Sequence, residues 1–478
     1  MKKESGEGLT AKKSENFSEW YTQVLQKSEM MDYTNVSGAI VIRPYAYFIW
    51  EKIQEYINER IKALGVKNAY FPLLIPESLL KKEKEHVAGF NPEVAWVTHA
   101  GNTKLSERLA IRPTSETIMY DSYKKWIRSY RDLPLKINQW NNVIRWEFKH
   151  PVPFLRTREF LWQEGHSAFA TDKEAAQEVS QILDIYESVF EDLLAVPVLK
   201  GKKSEKEKFA GADYTLSVET FLPNAKAAQG ATSHNLGQNF SKAFDITFLD
   251  EKGKKEHVWQ TSWGLSTRSI GIMVATHGDD KGLVIPPAVS PIQVVIVPII
   301  FEKEKNKVLK KASEIKNMLN DFRVHLDDRD YSSGWKFHEW ELKGVPIRLE
   351  IGPKDLAKNQ TVLVRRDTQK KEFVKLSALN KKVKNVLEDI QKSILSKARK
   401  FLKDHISDAK NIEEAKSLIE EGKIVRANWC GDEGCEEEIK AKTNGAKTLN
   451  ISEKEKPRGN CFNCKKPAKA VVYIAKSY

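Results

Sequence analysis

The 478-residue sequence predicts an α/β protein of several domains, on three observations. Through the middle of the chain, period-two runs alternate with runs at helical spacing, which argues for mixed helix and sheet. Pro286, Pro287 and Pro291 cluster just before an apolar run at 292–300, and a tidy alternation of strand-like and helical segments follows. Every cysteine falls between positions 430 and 464, which marks a separate C-terminal module. The length suggests about three domains.

Composition narrows the class. Apolar residues at 41%, with 12 Trp and 20 Phe, exclude a wholly disordered, collagenous or coiled-coil chain. Lys plus Arg is 78 against 65 Asp plus Glu, and the resulting +13 favours a polyanionic partner, although a merely basic soluble protein fits it too. No run reaches the roughly 18–20 apolar residues of a membrane span. The best candidate, 292–301, is interrupted by Gln293 and Pro298. The first 16 residues are polar and charged, without the apolar core of a secretory signal, so the expected location is cytoplasmic.

In chain order, residues 1–16 read as a charged arm. Phe17, Trp20, Tyr21, Val24 and Leu25 then fall at helical spacing, so an amphipathic helix begins near Ser14. Residues 38–43 form a short apolar strand or turn that stops at Pro44, whose fixed φ suits the first turn of a helix. That helix, 44–64, places Ile49, Ile53, Tyr56, Ile57, Ile61 and Leu64 on one stripe and ends at Gly65. Residues 68–76 (NAYFPLLIP) read as one extended strand whose prolines suit an edge or an end.

Beyond the proline cluster, a strand at 292–300 leads to a helix at 302–320, and a strand at 322–326 to a helix near 335–343. Strands at 346–351 and 361–366 and a helix at 379–403 complete a small open sheet covered by helices. The last helix is Lys-rich: through Asp404 it holds eight basic and three acidic residues. A solvated face is the ordinary reading of such a run, and an RNA contact is the other.

Cys430-x4-Cys435 and Cys461-x2-Cys464 form two close pairs. Two such knuckles supply the four thiolates of a tetrahedral zinc site, and Gly431, Gly434 and Gly459 suit tight turns around a metal. Reduced structural cysteines are the alternative; no strand-helix context favours a redox dithiol. Four thiolates leave no open position, so such a Zn2+ is structural.

The chemistry-bearing segments lie between. In 142–148 (NVIRWEF), Ile144, Trp146 and Phe148 point one way and Arg145 and Glu147 the other. A loop with two prolines, 149–157, carries Arg156 and Thr157, and a second extended run follows at 159–166. This is a hairpin. An arginine fork suits phosphate, a carboxylate accepts from an exocyclic amine, and Phe160 offers a stacking face. An Arg–Glu pair on a strand surface has the same spacing. A further strand at 257–263 meets Gly264, and a helix opens with Ser266, Thr267 and Arg268 at its anion-attracting end.

Together these segments resemble the three signature motifs of class II aminoacyl-tRNA synthetases. Helix 44–64 with strand 68–76 looks like motif 1, Arg145-Trp146-Glu147 through Arg156 like motif 2, and Gly264-Leu265-Ser266-Thr267-Arg268 like motif 3. Arg112-Pro113-Thr114-Ser115-Glu116, WQEGHSAF at 162–169, EKFAGADYT at 207–215 and QGATSHNLGQNFSKAF at 229–244 narrow the resemblance. So do GWKFHEWELKGVPIRLEIGPKD at 334–355 and the terminal Tyr478. The chain from about residue 15 onward resembles prolyl-tRNA synthetases of the archaeal and eukaryotic-like type, with a C-terminal zinc module.

The resemblance implies a charged arm (1–16), an α+β catalytic domain on an antiparallel sheet (17–288), an α/β anticodon-binding domain (289–404) and a small zinc-binding α/β domain (405–478). It implies ATP and Mg2+, L-proline and tRNA(Pro), a homodimer formed through motif 1, and no membrane. ATP would meet Arg145, Glu147, Arg156, Thr157, Phe160, Gln229, Thr232, Ser266 and Arg268. Proline would lie against Thr114, Ser115, Glu116, Arg145, Trp162, His166, Phe209 and His234, and Arg145 and Arg268 would be catalytic. Zinc would sit on Cys430, Cys435, Cys461 and Cys464. Glu341, Arg348, Glu350 and Lys354 are the anticodon candidates. The chain departs from the family at Ala231, where a second glycine is common. The interval from Thr157 to Gly264 has no room for the editing domain of bacterial-type relatives. A catalytically silent tRNA-binding protein and a threonine or histidine ligase are the competing readings.

Overall fold

The computed structural model describes residues 8–86, 93–147 and 150–478. Residues 1–7 of the expected arm, and Phe148 and Lys149 of the expected strand and loop, lie outside these.

An eleven-stranded sheet runs through the molecule. Its centre is a set of antiparallel strands in the order Leu199–Lys202, Tyr214–Leu222, Lys226–Gly237, Trp259–Ser266, Glu159–Phe169 and Leu135–Ile144. Lys67–Asn68 adds a parallel edge. On the other side the sheet continues, through a pairing of Ile451 with Lys202, into Lys447–Ile451, Ala470–Ala475, Ile424–Trp429 and Ile406–Asp408.

Helices cover the central strands because their apolar stripes have nowhere else to go. Phe17–Lys27 buries Trp20, Tyr21, Val24 and Leu25. It begins at Phe17 rather than near Ser14, since the Asn16 side chain accepts from the Glu19 amide and so caps it there. Pro44–Ala63 starts at its proline, as expected, and buries Ile49, Trp50, Ile53, Ile57 and Ile61. Asp172–Ser188, opened by a Thr171/Glu174 capping box, joins the same core through Val179, Ile182, Leu183 and Tyr186.

Three expectations need correction. The single strand at 68–76 is two short ones in different sheets: Lys67–Asn68 joins the central sheet, and Leu74–Pro76 pairs with Thr103–Ile111. Pro72 has no amide to sustain a ladder between them. The first motif 2 strand begins earlier and stops at Ile144, where its pairing with Glu159 ends, so Arg145 and Glu147 lie past the ladder. The motif 3 strand runs on through Gly264 to Ser266, and the helix starts only at Arg268.

A second, five-stranded sheet holds Val294–Pro298, flanked in parallel by Val324–Leu326 and Ile347–Ile351, with Gln360–Arg365 and Lys371–Lys375 antiparallel beyond. Leu379–Asp404 lays Val383, Val386, Leu387, Ile390 and Ile394 into its core. No helix among the described residues is long and apolar enough to cross a membrane.

Candidate active site

Strand pairing aligns side chains in rungs across the central sheet. Thr215, His234, Ser262 and His166 stand opposite one another on four adjacent strands, and Thr232, Gly264 and Glu164 form the next rung but one. Because side chains alternate, Trp162, Glu164 and His166 share one face. Gly264 leaves the middle of that face open: a methyl group there would meet the Gln163 carbonyl and the Trp162 ring. The result is a cavity of about 290 Å³.

Twelve of the expected ATP and proline residues line it: Thr114, Glu116, Arg145, Phe160, Trp162 and His166 on one side, and Phe209, Gln229, Thr232, His234, Ser266 and Arg268 on the other. Arg145 Nε donates to the Pro113 carbonyl (3.1 Å), and its guanidinium stands over the Trp162 and Phe160 rings at 5.2 and 5.6 Å. Arg268 Nε donates to the Leu155 carbonyl (2.8 Å) and Nη1 to that of Gln229 (3.3 Å). The two guanidiniums face one cavity. Burial lowers the pKa of both, that of Arg268 to about 10, with the neighbouring charge of Arg145 adding to the effect. Two buried cations crowded together favour an anionic ligand such as phosphate or carboxylate.

The opposite end is built around a carboxylate the sequence reading missed. Glu164 accepts from the Ser115 amide (3.1 Å), Ser115 Oγ, Asn141 Nδ2 (2.7 Å) and Gln139 Nε2 (3.3 Å), and meets His166 Nε2 at 3.0 Å. Burial works to raise its pKa, but His166 and these donors hold it below the usual value. His166 is shifted up: burial opposes its charge, and Glu116 and Glu164 more than offset that. Burial raises Glu116, whose partner is the Thr114 hydroxyl. Burial drives His234 down to about 3, keeping it neutral beside Thr215 Oγ1 (2.8 Å) and the Phe209 ring (4.7 Å).

Four expected residues stand off the cavity wall. Ser115 is fully buried behind it, tied to Glu164. Glu147 is exposed. Arg156 sits where the loop folds back on Val152, and Thr157 is buried next to it. Besides Glu164, the cavity gains Glu207, Thr215 and Ser262. The alternation in WQEGH was the available signal for Glu164; Glu207 and Thr215 lie at the two ends of the EKFAGADYT segment, and the facing of Ser262 depends on strand register.

The four cysteines are free thiols whose sulfurs all lie within 4.8 Å of one another. Cys435–Cys461 and Cys464–Cys430 sulfur separations are 3.7 and 3.5 Å. A zinc tetrahedron with bonds of about 2.3 Å has edges of about 3.8 Å, so the donor set fits. Gly431 and Gly459 turn with φ of +79° and +70°, whereas Gly434 is helical. Of the anticodon candidates, Glu341 and Arg348 line one shallow cleft. Arg348 pairs with Glu350 at 2.9 Å, and Lys354 lies in the helix Pro353–Ala357 beyond the end of that strand.

Residues 97–277 match the tRNA synthetase class II core domain (G, H, P, S and T), 293–386 an anticodon binding domain, and 412–478 the prolyl-tRNA synthetase C-terminal domain. The chain is 53% identical to the proline–tRNA ligase of Alkaliphilus oremlandii, over 97% of this chain and 96% of that protein. It is 50% identical to the cytoplasmic proline–tRNA ligase of Arabidopsis thaliana, over 100% of this chain and 92% of the relative. The mouse bifunctional glutamate/proline–tRNA ligase is 49% identical over the whole chain, which spans 33% of that protein's length.

Proposed function

This chain belongs to the prolyl-tRNA synthetase family, with a class II core, an α/β anticodon-binding region and a C-terminal four-cysteine cluster, and on that premise we propose that it is a proline–tRNA ligase. It joins L-proline to ATP, forming prolyl-adenylate and pyrophosphate, and passes the prolyl group to the 3′ end of tRNA(Pro). One observation carries this reading: Arg145 and Arg268 face a cavity that also holds Glu116, Trp162 and Phe209.

In this mechanism the proline carboxylate attacks the α-phosphorus in line, and a terminal ribose hydroxyl of the tRNA then attacks the mixed anhydride. No side chain becomes covalent; positioning and charge do the work. Arg145 bridges carboxylate and α-phosphate, and Arg268 holds the remaining phosphate charge. Phe160 stacks on the base, with Gln229, Thr232 and Ser266 beside the nucleotide. Glu147, Arg156 and Thr157, off the wall here, reach ATP from the motif 2 loop. Mg2+ arriving with ATP neutralises phosphate charge. Glu116 and Thr114 receive the imino NH2+, Trp162 and Phe209 wall the ring, and His166, His234 and Ser115 complete the proline end.

The same reading divides the chain at 17–288, 289–404 and 405–478, places it in the cytoplasm, and gives Cys430, Cys435, Cys461 and Cys464 a structural Zn2+. Glu341, Arg348, Glu350 and Lys354 face the anticodon guanines. Exposed Tyr33, Val41, Tyr47, Tyr70 and Leu74 around motif 1 support a symmetric homodimer. Pyrophosphate exchange with a panel of amino acids tests the activity. Exchange that depends on proline is expected; exchange driven equally by threonine or histidine, or by none, would overturn it.

A further inference from the structure

A buried seam joins the four-cysteine module to the wall of the cavity. Asn450 Nδ2 donates to the Leu199 carbonyl (2.8 Å), and a methyl group on Gly201 would collide with the carbonyl of Ile451. Just past strand Leu199–Lys202, Lys203 is 6% exposed. Its Nζ donates to the Leu449 carbonyl (2.6 Å) and pairs with buried Glu219 at 2.6 Å. Ser204, 1% exposed, donates its hydroxyl to Glu436 Oε1 at 2.8 Å. Glu436 follows Cys435 in the helix Glu433–Lys442 and is itself buried. Outside this, Lys206 pairs with Glu437, and Lys447 with Glu207 at 3.3 Å.

Segment 203–209 then enters the cavity wall with Glu207 and Phe209. The Phe209 amide donates to Thr215 Oγ1 (3.0 Å), the same hydroxyl that meets His234. Buried polar groups tolerate few alternative arrangements, because each lost partner leaves a desolvated atom. The seam therefore has one favoured register. Within the module, the Asp432 side chain accepts from the Cys435 amide (2.8 Å) and caps the Glu433–Lys442 helix, which fixes where Glu436 stands beside the cysteines.

We infer that the four-cysteine module positions the Glu207–Phe209 wall of the cavity, with Ser204 and Glu436 as the positioning residues that transmit it. The inference rests on the reading of this cavity as the proline site. Coupling between two sites is reciprocal, so a filled cavity steadies the module in turn.

Hydrogen exchange of the 433–442 amides in the full-length protein tests this, with and without a non-hydrolysable prolyl-adenylate analogue whose binding is measured calorimetrically in the same samples. The analogue is expected to slow exchange several-fold in the wild type. Ser204→Ala and Glu436→Ala each abolish the slowing and raise KM for proline about tenfold, with kcat nearly unchanged. Glu436→Gln keeps an acceptor for Ser204 and retains the slowing. Analogue binding without slowed exchange in the wild type overturns the inference, as does equal slowing in both alanine variants. An analogue that does not bind the wild type overturns the proline reading, and the inference with it.

Discussion

Glu164 and His166 stand two positions apart on one strand face, their carboxylate and imidazole 3.0 Å from each other and both side chains sealed from water. The pair sets a pH window for stability. Glu164, held below its ordinary 4.5, stabilises the fold above that value and loses the effect as pH falls through its lowered pKa. His166, raised above 6.5, stabilises below that value and loses the effect as pH rises through its raised pKa. Both contributions are complete only between these ordinary values. Glu164→Gln is expected to cost about 3–5 kcal/mol there, because it removes the carboxylate hydrogen-bonded to the buried imidazolium and leaves Glu116 as its remaining charge partner. Denaturant unfolding at several pH values measures it, and an equal cost well above the His166 range would contradict this account.

In the proposed proline site, Glu116 carries a pH dependence of its own. Its raised pKa means that acidification neutralises it early, while the His166 and Arg145 cations nearby stay charged. KM for proline is expected to rise as pH falls through that pKa. Glu116→Gln should show a high KM at every pH. Steady-state exchange assays across the acid range provide the comparison.

Arg145→Lys keeps a charge but loses the fork that reaches Pro113 and lies over Trp162. Proline-dependent exchange should fall on the order of 10²-fold, with melting nearly unchanged. Near-wild-type exchange would remove Arg145 from its assigned role.

Cys435→Ser should yield protein with much less than one zinc per chain by metal analysis, and with a lower melting temperature. Cys435 sulfur also accepts from Asn463 Nδ2 at 3.3 Å, so Asn463→Ala should weaken metal retention without abolishing it. Full zinc occupancy in Cys435→Ser would exclude a four-thiolate site.

Arg348→Ala removes a guanidinium that lies over Phe337 at 4.3 Å and pairs with Glu350. It is expected to weaken tRNA(Pro) binding about 1–3 kcal/mol through a lost base contact. The slope of log affinity against log salt, set by phosphate contacts, should stay as in the wild type. Filter binding over a salt series separates the two.

Much of the site was legible because it is written in short contiguous patterns. RPTSE and GLSTR each sit where a strand gives way to a helix, WQEGH lies within the strand Glu159–Phe169, and the period-two spacing of Trp162 and His166 already put them on one face. Glu164 lies in that same pattern. It passed unnoticed because a glutamate in an alternating strand reads as solvent-facing, and only Ser115, Gln139 and Asn141, from other segments, make it buried and satisfied. Arg156 and Thr157 sit off the wall for a related reason: the turn that joins Val152 to Arg156 directs the loop, and spacing does not specify it.

By itself, then, the amino-acid order determined the helices with apolar stripes, the paired cysteines and the short segments that supply most of the cavity lining, all of which depend on neighbours a few positions away. Tertiary structure alone decided that Glu164 underpins one end of the cavity and that the last strands extend the central sheet. Those outcomes depend on register between strands far apart in the chain, where a shift of one residue turns every side chain to the opposite face.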